Sequence, residues 1–253
     1  MDLDLQQRAF HADRVGHAAG AVERVALGQD VEDLAVGGSC GSQGATRLGV
    51  LHRGGSVDRI VRSGRRETNG HYLDEDQYVP FWERVQELDV PVYLHPGNMA
   101  DHPAMFAHRP ELDGPVWAWT ADTAAHALRL VFGGTLTRFP KLKIILGHMG
   151  ETLPFLLWRF DSRREFDLGE TLAPDALPST IIKRNIAITT SGVCAAGPLV
   201  EAVRALGEDS VMFSVDYPYE DAQIAADFIE SAPISEELRA KVCHGNAERL
   251  LRL

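Results

Sequence analysis

Cysteines are few in this sequence, and none lies in a Cys-x-x-Cys spacing. The 253 residues contain three, Cys40, Cys194 and Cys243. A disulfide framework or a cysteine-based zinc site would need more of them at closer spacings. The scarcity therefore argues against a disulfide-stabilised secreted domain and predicts a protein of the reducing cytoplasm.

Long apolar runs and an excess of basic residues are also missing. No apolar stretch reaches the roughly 20 residues that a membrane helix requires, so we expect no membrane association. The chain holds 25 basic and 36 acidic residues, which gives a net charge of −11. An acidic surface argues against nucleic acid as a partner. It does not exclude a small anionic ligand, because a pocket can hold positive charge locally.

Residues 1–66 lack proline, lysine, tryptophan and tyrosine, which all occur only beyond this segment. Phe10 is its only aromatic residue, and it carries nine arginines and eight acids. Such a segment buries little apolar area against the entropy of ordering it. Two interpretations stay open: a divergent helical segment, or text from a wrong reading frame of a GC-rich gene. We expect irregular or helical structure over residues 1–66, with a loop at GGSCGSQGATRLGVLHRGGS, and a folded region over residues 67–253.

Short apolar runs alternate with segments of helical periodicity from residue 67 onward. The predicted strands are bounded by turn residues: VPVYLHP (90–96), KLKIILGHMG (141–150), NIAITTSG (185–192) and SVMFSVDYP (210–218). Helical periodicity is found in DEDQYVPFWERVQEL, TADTAAHALRLVFGG, ETLPFLLWRFDSRREF, AGPLVEAVRALG and the C-terminal segments. This alternation predicts an α/β fold with a parallel sheet made from four βα units.

Three of the four predicted strands are followed by a side chain that can bind a metal or transfer a proton. These are His95, His148 and Asp216, while the remaining strand ends in the hydroxyl-bearing residues 189–191. Each residue alone has a structural explanation, as a core histidine or a loop-capping aspartate. Active sites of parallel α/β folds lie at the carboxyl edge of the sheet, so three such residues there favour a shared site. Imidazole and carboxylate ligands suit Zn²⁺ or Mn²⁺ better than Ca²⁺.

The same segments carry a family resemblance. VPVYLHPGN, GHMGETLPFLLWRFD, NIAITTSGV and VDYPYE resemble the amidohydrolase-related superfamily, and most closely its metal-dependent decarboxylase branch, which includes the γ-resorcylate and 2,3-dihydroxybenzoate decarboxylases. The resemblance covers residues 67–253. It implies a (β/α)₈ barrel of the TIM type with one divalent metal, a small aromatic acid as substrate, and a homo-oligomer. Only about the last four βα units are recognisable, so we expect an incomplete barrel.

The resemblance also implies roles for residues near the strand ends. His95, His148 and Asp216 match positions at the metal, with Asp216 also handling the proton and His148 lying near the substrate. Glu151 lies behind His148 and would orient its ring; the alternative is an exposed glutamate favoured by a helix dipole.

Arg159 matches a family arginine that reaches toward a substrate site, in its own or a neighbouring subunit. The alternative is a structural ion pair with Asp161 or Asp122. The residue type alone does not separate the two, because a guanidinium pairs equally well with a substrate carboxylate or an aspartate.

One expected motif is absent. The family opens with a strand ending in Glu-x-His, which would supply two further metal ligands, and residues 1–66 contain no equivalent on a strand-like run. We therefore expect weak metal binding. Three functions stay open: a carboxy-lyase that removes CO₂ from a hydroxybenzoate-like acid, a metal-dependent hydrolase of a lactone or amide, and a catalytically inactive fragment.

Overall fold

The computed structural model describes residues 31–33, 49–53, 56–64, 71–96 and 103–253. Within these ranges seven strands form one sheet in chain order: β1 (Val31–Asp33), β2 (Gly49–Arg53), β3 (Ser56–Gly64), β4 (Val92–His95), β5 (Ile144–Leu146), β6 (Ile186–Thr189) and β7 (Val211–Met212). The first three strands pair antiparallel, whereas β3 to β7 pair parallel. The parallel sheet predicted from the alternating pattern is confirmed.

Helices follow the parallel strands and cover the sheet. The α-helices of the described residues are α1 (Val79–Leu88), α2 (Ala118–Phe132), α3 (Thr135–Arg138), α4 (Leu157–Leu168), α5 (Pro178–Asn185), α6 (Ala196–Leu206), α7 (Ala222–Ser231), α8 (Glu236–Ala240) and α9 (Asn246–Leu251). A π-helical turn, Lys241–Gly245, joins the last two. Short 3₁₀ turns include Asp76–Tyr78 before α1 and Leu153–Leu156 before α4. No helix in these ranges has the length and apolar character to cross a bilayer.

Local sequence explains where several helices begin and end. Helix α2 ends at Phe132 because two glycines follow, the second of which adopts a left-handed conformation with φ of 84°. Helix α8 begins after Ser235, whose side chain accepts a hydrogen bond from the Leu238 amide and so caps the helix. Asp221 caps α7 in the same way by accepting from two amides.

The two faces of the sheet have different environments. The large core lies on one face, where Val92, Ile144, Ile188 and Val211 are fully buried. The opposite face carries Ile145, Ala187 and Met212, with Tyr93, Ala247 and Leu250 packed against them. Because both faces are covered, these strands are continuous apolar runs rather than alternating ones.

The expectation of irregular or helical structure before residue 67 is wrong for the described part of that segment. Strands occupy residues 31–33, 49–53 and 56–64; β2 lies wholly within the predicted loop GGSCGSQGATRLGVLHRGGS, and β3 begins at its last residue, Ser56. The composition argument missed them because backbone N–H and C=O groups pair with a neighbouring strand whatever the side chains. The rest of residues 1–66 lies outside the described residues.

Two further boundaries differ from the sequence prediction. Strand β7 covers only Val211 and Met212, because the chain leaves the ladder after Met212 and the Phe213 amide bonds instead to the Val242 carbonyl. The sequence analysis did not predict helix α5. The sequence signals for it are Pro178 at its first position and the apolar pair Ile181 and Ile182, which is buried in the structure.

Candidate active site

The sheet brings His148 and Asp216 together at its carboxyl edge. His148 follows β5 after a single glycine, and Asp216 lies four residues beyond the end of β7. The Nε2 atom of His148 is 3.5 Å from Oδ2 of Asp216. The predicted convergence of these two side chains is therefore present in the structure.

Glu151 completes the arrangement on the other side of the imidazole. Its Oε1 lies 2.6 Å from Nδ1 of His148. The side chain is 1% exposed, so the alternative of a solvated glutamate at a helix start does not hold. Its other oxygen, Oε2, is buried without a hydrogen-bond partner among the described residues. A buried carboxylate is costly unless it is paired, so His148 is the group that makes Glu151 tolerable there.

The charges of the three groups depend on one another. Burial alone would lower the pKa of His148, but the hydrogen bonds and charges of Asp216 and Glu151 outweigh it and raise this pKa to about 9. The hydrogen bond with His148 lowers the pKa of Asp216, against the opposing effect of partial burial, and the charges of His148 and His95 add to the lowering. At neutral pH the pair therefore consists of an imidazolium and a carboxylate.

An unusual backbone turn holds this imidazole. His148, Met149, Gly150, Glu151 and Thr152 all have positive φ values, between 47° and 77°. Four of them are not glycine, and each such residue costs about 1 kcal/mol or more. Burial of Met149, the 2.6 Å hydrogen bond between Glu151 and His148, and a 2.7 Å bond from the Gly150 amide to the Gly147 carbonyl offset this cost. Asp216 also has a positive φ, of 78°.

Gly192 forms the wall beside the His148–Asp216 pair. Its φ of +67° is in the left-handed region, which favours glycine. A Cβ at this position would lie 3.1 Å from Cδ2 of His148 and 3.6 Å from Oδ2 of Asp216. The absent side chain therefore gives the ring and the carboxylate their room.

The described residues do not by themselves fit a resident metal ion. They contain no group of three or more His, Cys, Asp or Glu side chains arranged to hold one. Both nitrogens of His148 face carboxylates, and a protonated imidazole has no lone pair for a metal. His95 is the last residue of β4, with an exposed side chain whose Nδ1 is 2.9 Å from the Pro96 carbonyl. The assignment of His95, His148 and Asp216 as metal ligands stays a prediction.

Arg159 lies on α4 and is exposed. No hydrogen bond or ion pair joins its guanidinium to His148 or Asp216 within the described ranges, and the structural alternative of a pair with Asp161 is not formed either. Asp161 instead accepts hydrogen bonds from the amide and the hydroxyl of Ser179, at 2.8 and 2.6 Å. The role of Arg159 toward a substrate stays a prediction.

The sequence analysis assigned no role to Tyr93, Gly147 or Gly192, which all lie beside His148 in the structure. The Tyr93 hydroxyl is 3.3 Å from Oγ1 of Thr189, which is 3.0 Å from Oγ of Ser191. Ser191 accepts a hydrogen bond from the His148 amide at 3.1 Å. The available signals were the strand alternation, which turns Tyr93 away from the large core, and the glycines beside His148 and Ser191.

Comparison with known proteins places the chain in a family. The family model described as Amidohydrolase matches residues 12–253. The chain belongs to the amidohydrolase family. This match also includes residues 12–66, which precede the segments that carry the sequence resemblance.

Similar proteins within the family are decarboxylases. The γ-resorcylate decarboxylase of a Polaromonas species is 43% identical over 185 residues, which cover 72% of this chain and 56% of that protein. The γ-resorcylate decarboxylase of a Rhizobium species is 38% identical over 79% of this chain and 62% of its own length. The chain thus spans little more than half the length of these relatives.

Solved structures give the same comparison. A dihydroxybenzoic acid decarboxylase from Polaromonas, with bound manganese and the inhibitor 2-nitroresorcinol, has a TM-score of 0.65 at 41% identity, covering 72% of this chain and 55% of that one. A 2,6-dihydroxybenzoate decarboxylase complexed with 2,6-dihydroxybenzoate has a TM-score of 0.68 at 39% identity, covering 76% and 61%. The fold of the described residues is therefore that of the TIM-barrel-like family to which these enzymes belong.

Proposed function

We propose that the chain is a carboxy-lyase that replaces the carboxylate of a hydroxybenzoate-like aromatic acid with hydrogen. The observation that carries the proposal is the position of the His148 imidazole between Glu151 and Asp216 at the carboxyl edge of the sheet. The decarboxylase names of the similar proteins support an aromatic acid as the substrate class.

The chemistry requires a proton at the ring carbon that carries the carboxylate. Protonation interrupts the aromatic system, the carbon–carbon bond then breaks, its electron pair restores the aromatic ring, and CO₂ leaves. His148 holds a proton on Nε2 opposite the Asp216 carboxylate. We propose that Asp216 accepts this proton from Nε2 and passes it to the ring carbon, while Glu151 holds the imidazole in orientation; the neutral His148 then takes up a proton from solvent.

A divalent metal, Mn²⁺ or Zn²⁺, is the proposed cofactor, with His95, His148 and Asp216 as the predicted ligands; His148 is protonated at neutral pH, which leaves His95 and Asp216 as donors. The manganese bound in a similar structure supports this choice. Such an ion would act as a Lewis acid toward the acid's carboxylate and neighbouring hydroxyl oxygens. Two protein donors are fewer than the three or four that metals such as zinc usually take, so we expect weak binding.

We also propose that the sheet is an incomplete (β/α)₈ barrel. The antiparallel pairing of β1, β2 and β3 supports this, because a complete barrel of this type has parallel strands throughout. Residues 1–66 would then be an atypical segment that differs in composition from the rest, although its described strands extend the same sheet. The free thiols of Cys194 and Cys243 support a reducing compartment, the cytoplasm.

A homo-oligomer is the proposed assembly, with Arg159 near the contact. The side chains of Phe155, Trp158 and Phe166 are more than half exposed, on α4 and the turn before it. A cluster of exposed aromatic residues is typical of a protein contact surface. Light scattering on the purified full-length chain tests this: a dimer or larger species is expected, and a monomer at all concentrations contradicts it.

Release of ¹³CO₂ from carboxyl-labelled acids tests the proposed function. The full-length protein is incubated with 2,6- or 2,3-dihydroxybenzoate, with added Mn²⁺, with added Zn²⁺ and without metal. We expect labelled CO₂ and the corresponding dihydroxybenzene in equal amounts, with a rate that rises over a high range of metal concentration because the site is weak. Turnover of lactones or amides in place of these acids would favour the hydrolase.

The second candidate is a catalytically inactive chain. It is favoured by the absence, among the described residues, of three side chains arranged to hold a metal. This candidate predicts no CO₂ under any of the metal conditions and substoichiometric metal after dialysis. CO₂ release that saturates with added metal would exclude it.

A further inference from the structure

A chain of hydroxyl groups crosses from β4 to the turn that carries His148. The Tyr93 hydroxyl, Oγ1 of Thr189 and Oγ of Ser191 are joined at 3.3 and 3.0 Å, and the Ser191 oxygen accepts the His148 N–H at 3.1 Å. We call these three residues the hydroxyl relay. Tyr93 is half-buried, and the other two are buried.

The relay touches the first residue of the strained turn. His148 has φ of 47° and is followed by four more residues with positive φ. Its amide therefore lies at the point where extended strand backbone becomes left-handed. The Ser191 hydroxyl satisfies this amide through a side chain from the neighbouring strand rather than through the turn's own backbone. Loss of that acceptor leaves the amide unpaired and releases one of the constraints on the turn.

Gly147 lies between the two ends of the relay. A Cβ on this residue would be 2.9 Å from the Tyr93 hydroxyl and 3.1 Å from Oγ of Ser191. Its own φ of −73° is one that alanine adopts without strain. The close contacts therefore come from the relay, and glycine is required because the relay oxygens pack against the backbone just before His148.

We propose that Tyr93, Thr189 and Ser191 are positioning residues that fix the His148 turn and thereby aim its imidazole at Asp216. The part of this inference that concerns catalysis rests on the proposed function, whereas the part that concerns geometry does not. None of the three residues bonds to the His148 ring, so they act through its backbone.

Amide hydrogen exchange of His148 tests the geometric part without any activity. Ser191→Ala removes the acceptor, and we expect the His148 amide to exchange about tenfold faster relative to the Leu142 amide, which bonds to Phe139 away from the relay. Ser191→Thr, which restores a hydroxyl, should recover most of the protection. Unchanged relative exchange in Ser191→Ala would overturn the proposal.

Adjacent threonines provide a matched comparison. Thr189 belongs to the relay, whereas the Thr190 hydroxyl bonds to both the amide and the carbonyl of Ser214. Thr189→Val and Thr190→Val remove the same group from neighbouring buried positions. Only Thr189→Val should speed exchange at His148 relative to Leu142. Equal effects of the two variants would indicate general loosening and contradict a specific relay.

A double-mutant cycle tests the contact at Gly147. Gly147→Ala should speed His148 exchange by forcing the relay oxygens apart, and Tyr93→Phe in the same chain should reverse part of that effect by removing the hydroxyl 2.9 Å away. Additive effects would contradict the packing argument.

Kinetics then separate this inference from the proposed function. With decarboxylation present, Ser191→Ala should lower kcat about tenfold with KM little changed, and Ser191→Thr should restore kcat. Unaltered kcat together with faster exchange would overturn the catalytic part alone. If the wild-type chain releases no CO₂, the proposed function fails, and the exchange data still decide whether the relay holds His148.

Discussion

Nε2 of His148 lies 3.5 Å from Oδ2 of Asp216, although the two residues follow different strands and are 68 positions apart in the sequence. The contact depends on β6, which separates β5 from β7 in the sheet and carries Gly192 on the loop beyond its end. With Glu151 on the other ring nitrogen, one imidazole is shared by two carboxylates. This arrangement can hold a proton on the imidazole next to the Asp216 carboxylate.

Removal of the buried Glu151 carboxylate should destabilise the protein far more than removal of the exposed Glu201 carboxylate. Glu151→Ala leaves an imidazolium without its 2.6 Å partner in a buried turn, and we expect a loss of about 3 kcal/mol in the free energy of unfolding. Glu201→Ala removes a partner at the same i,i+3 spacing from the exposed Arg204, and should cost less than about 0.5 kcal/mol. Urea unfolding compares the two. Similar losses would show that Glu151 is not held as a buried ion-pair partner.

Alanine at Gly192 should disturb the site through both backbone and side chain. The positive φ and the 3.1 Å approach to the His148 ring predict a loss of about 1 kcal/mol or more in stability. Gly197, in helix α6, has open space around its Cβ position and no positive φ. Gly197→Ala should therefore be neutral or stabilising by up to about 1 kcal/mol. Thermal unfolding of both variants checks the contrast, and equal melting temperatures would contradict it.

Much of the parallel sheet could be predicted from sequence because it depends on local pattern. The apolar runs at residues 90–96, 141–150, 185–192 and 210–218 predicted four strands, and parallel pairing puts their carboxyl ends at one edge. The strands at residues 49–53 and 56–64 could not be predicted in this way. These two strands pair with each other from Arg53 and Ser56 onward, and β3 also pairs with β4; composition encodes neither contact.

The geometry of the site was beyond sequence reasoning for a similar reason. The left-handed turn from His148 to Thr152 includes only one glycine. Its other four residues are types that rarely adopt positive φ, so the sequence does not predict this turn. The resemblance implies the pairing of Glu151 with His148, but the burial of Glu151 depends on the packed surroundings of the turn. The Tyr93–Thr189 contact joins residues 96 positions apart across β4 and β6.

The free energy of unfolding should decrease as the pH is lowered, because of His126, a buried histidine outside the site. Burial lowers the pKa of His126 to about 4, with Arg129 adding to the effect and Asp74 opposing it, and its Nε2 accepts the Leu73 amide. Because the folded pKa is below the unfolded value of 6.5, the unfolded chain binds more protons between these values. The stabilisation, about 3 kcal/mol, is present above pH 6.5 and is lost as pH falls toward 4.

Urea unfolding at pH 7 and pH 4.5 measures this loss. His126→Gln keeps an acceptor for the Leu73 amide but cannot take up a proton, so its stability should depend less on pH over this range. His108→Gln, at an exposed position, serves as the control and should keep the wild-type dependence. An equal pH dependence in His126→Gln and wild type would rule out the buried neutral histidine as the cause.

The most direct test of proton delivery by the His148–Asp216 pair is decarboxylation of 2,6-dihydroxybenzoate in D₂O, followed by mass spectrometry and NMR of the product. The proposed function predicts resorcinol with one deuteron at the carbon that carried the carboxylate. Asp216→Asn should slow its formation by at least about 100-fold. Asp209→Asn, an exposed carboxylate at the other end of β7, should react at the wild-type rate. Undiminished formation of the deuterated product by Asp216→Asn would contradict the assignment of this proton transfer to Asp216.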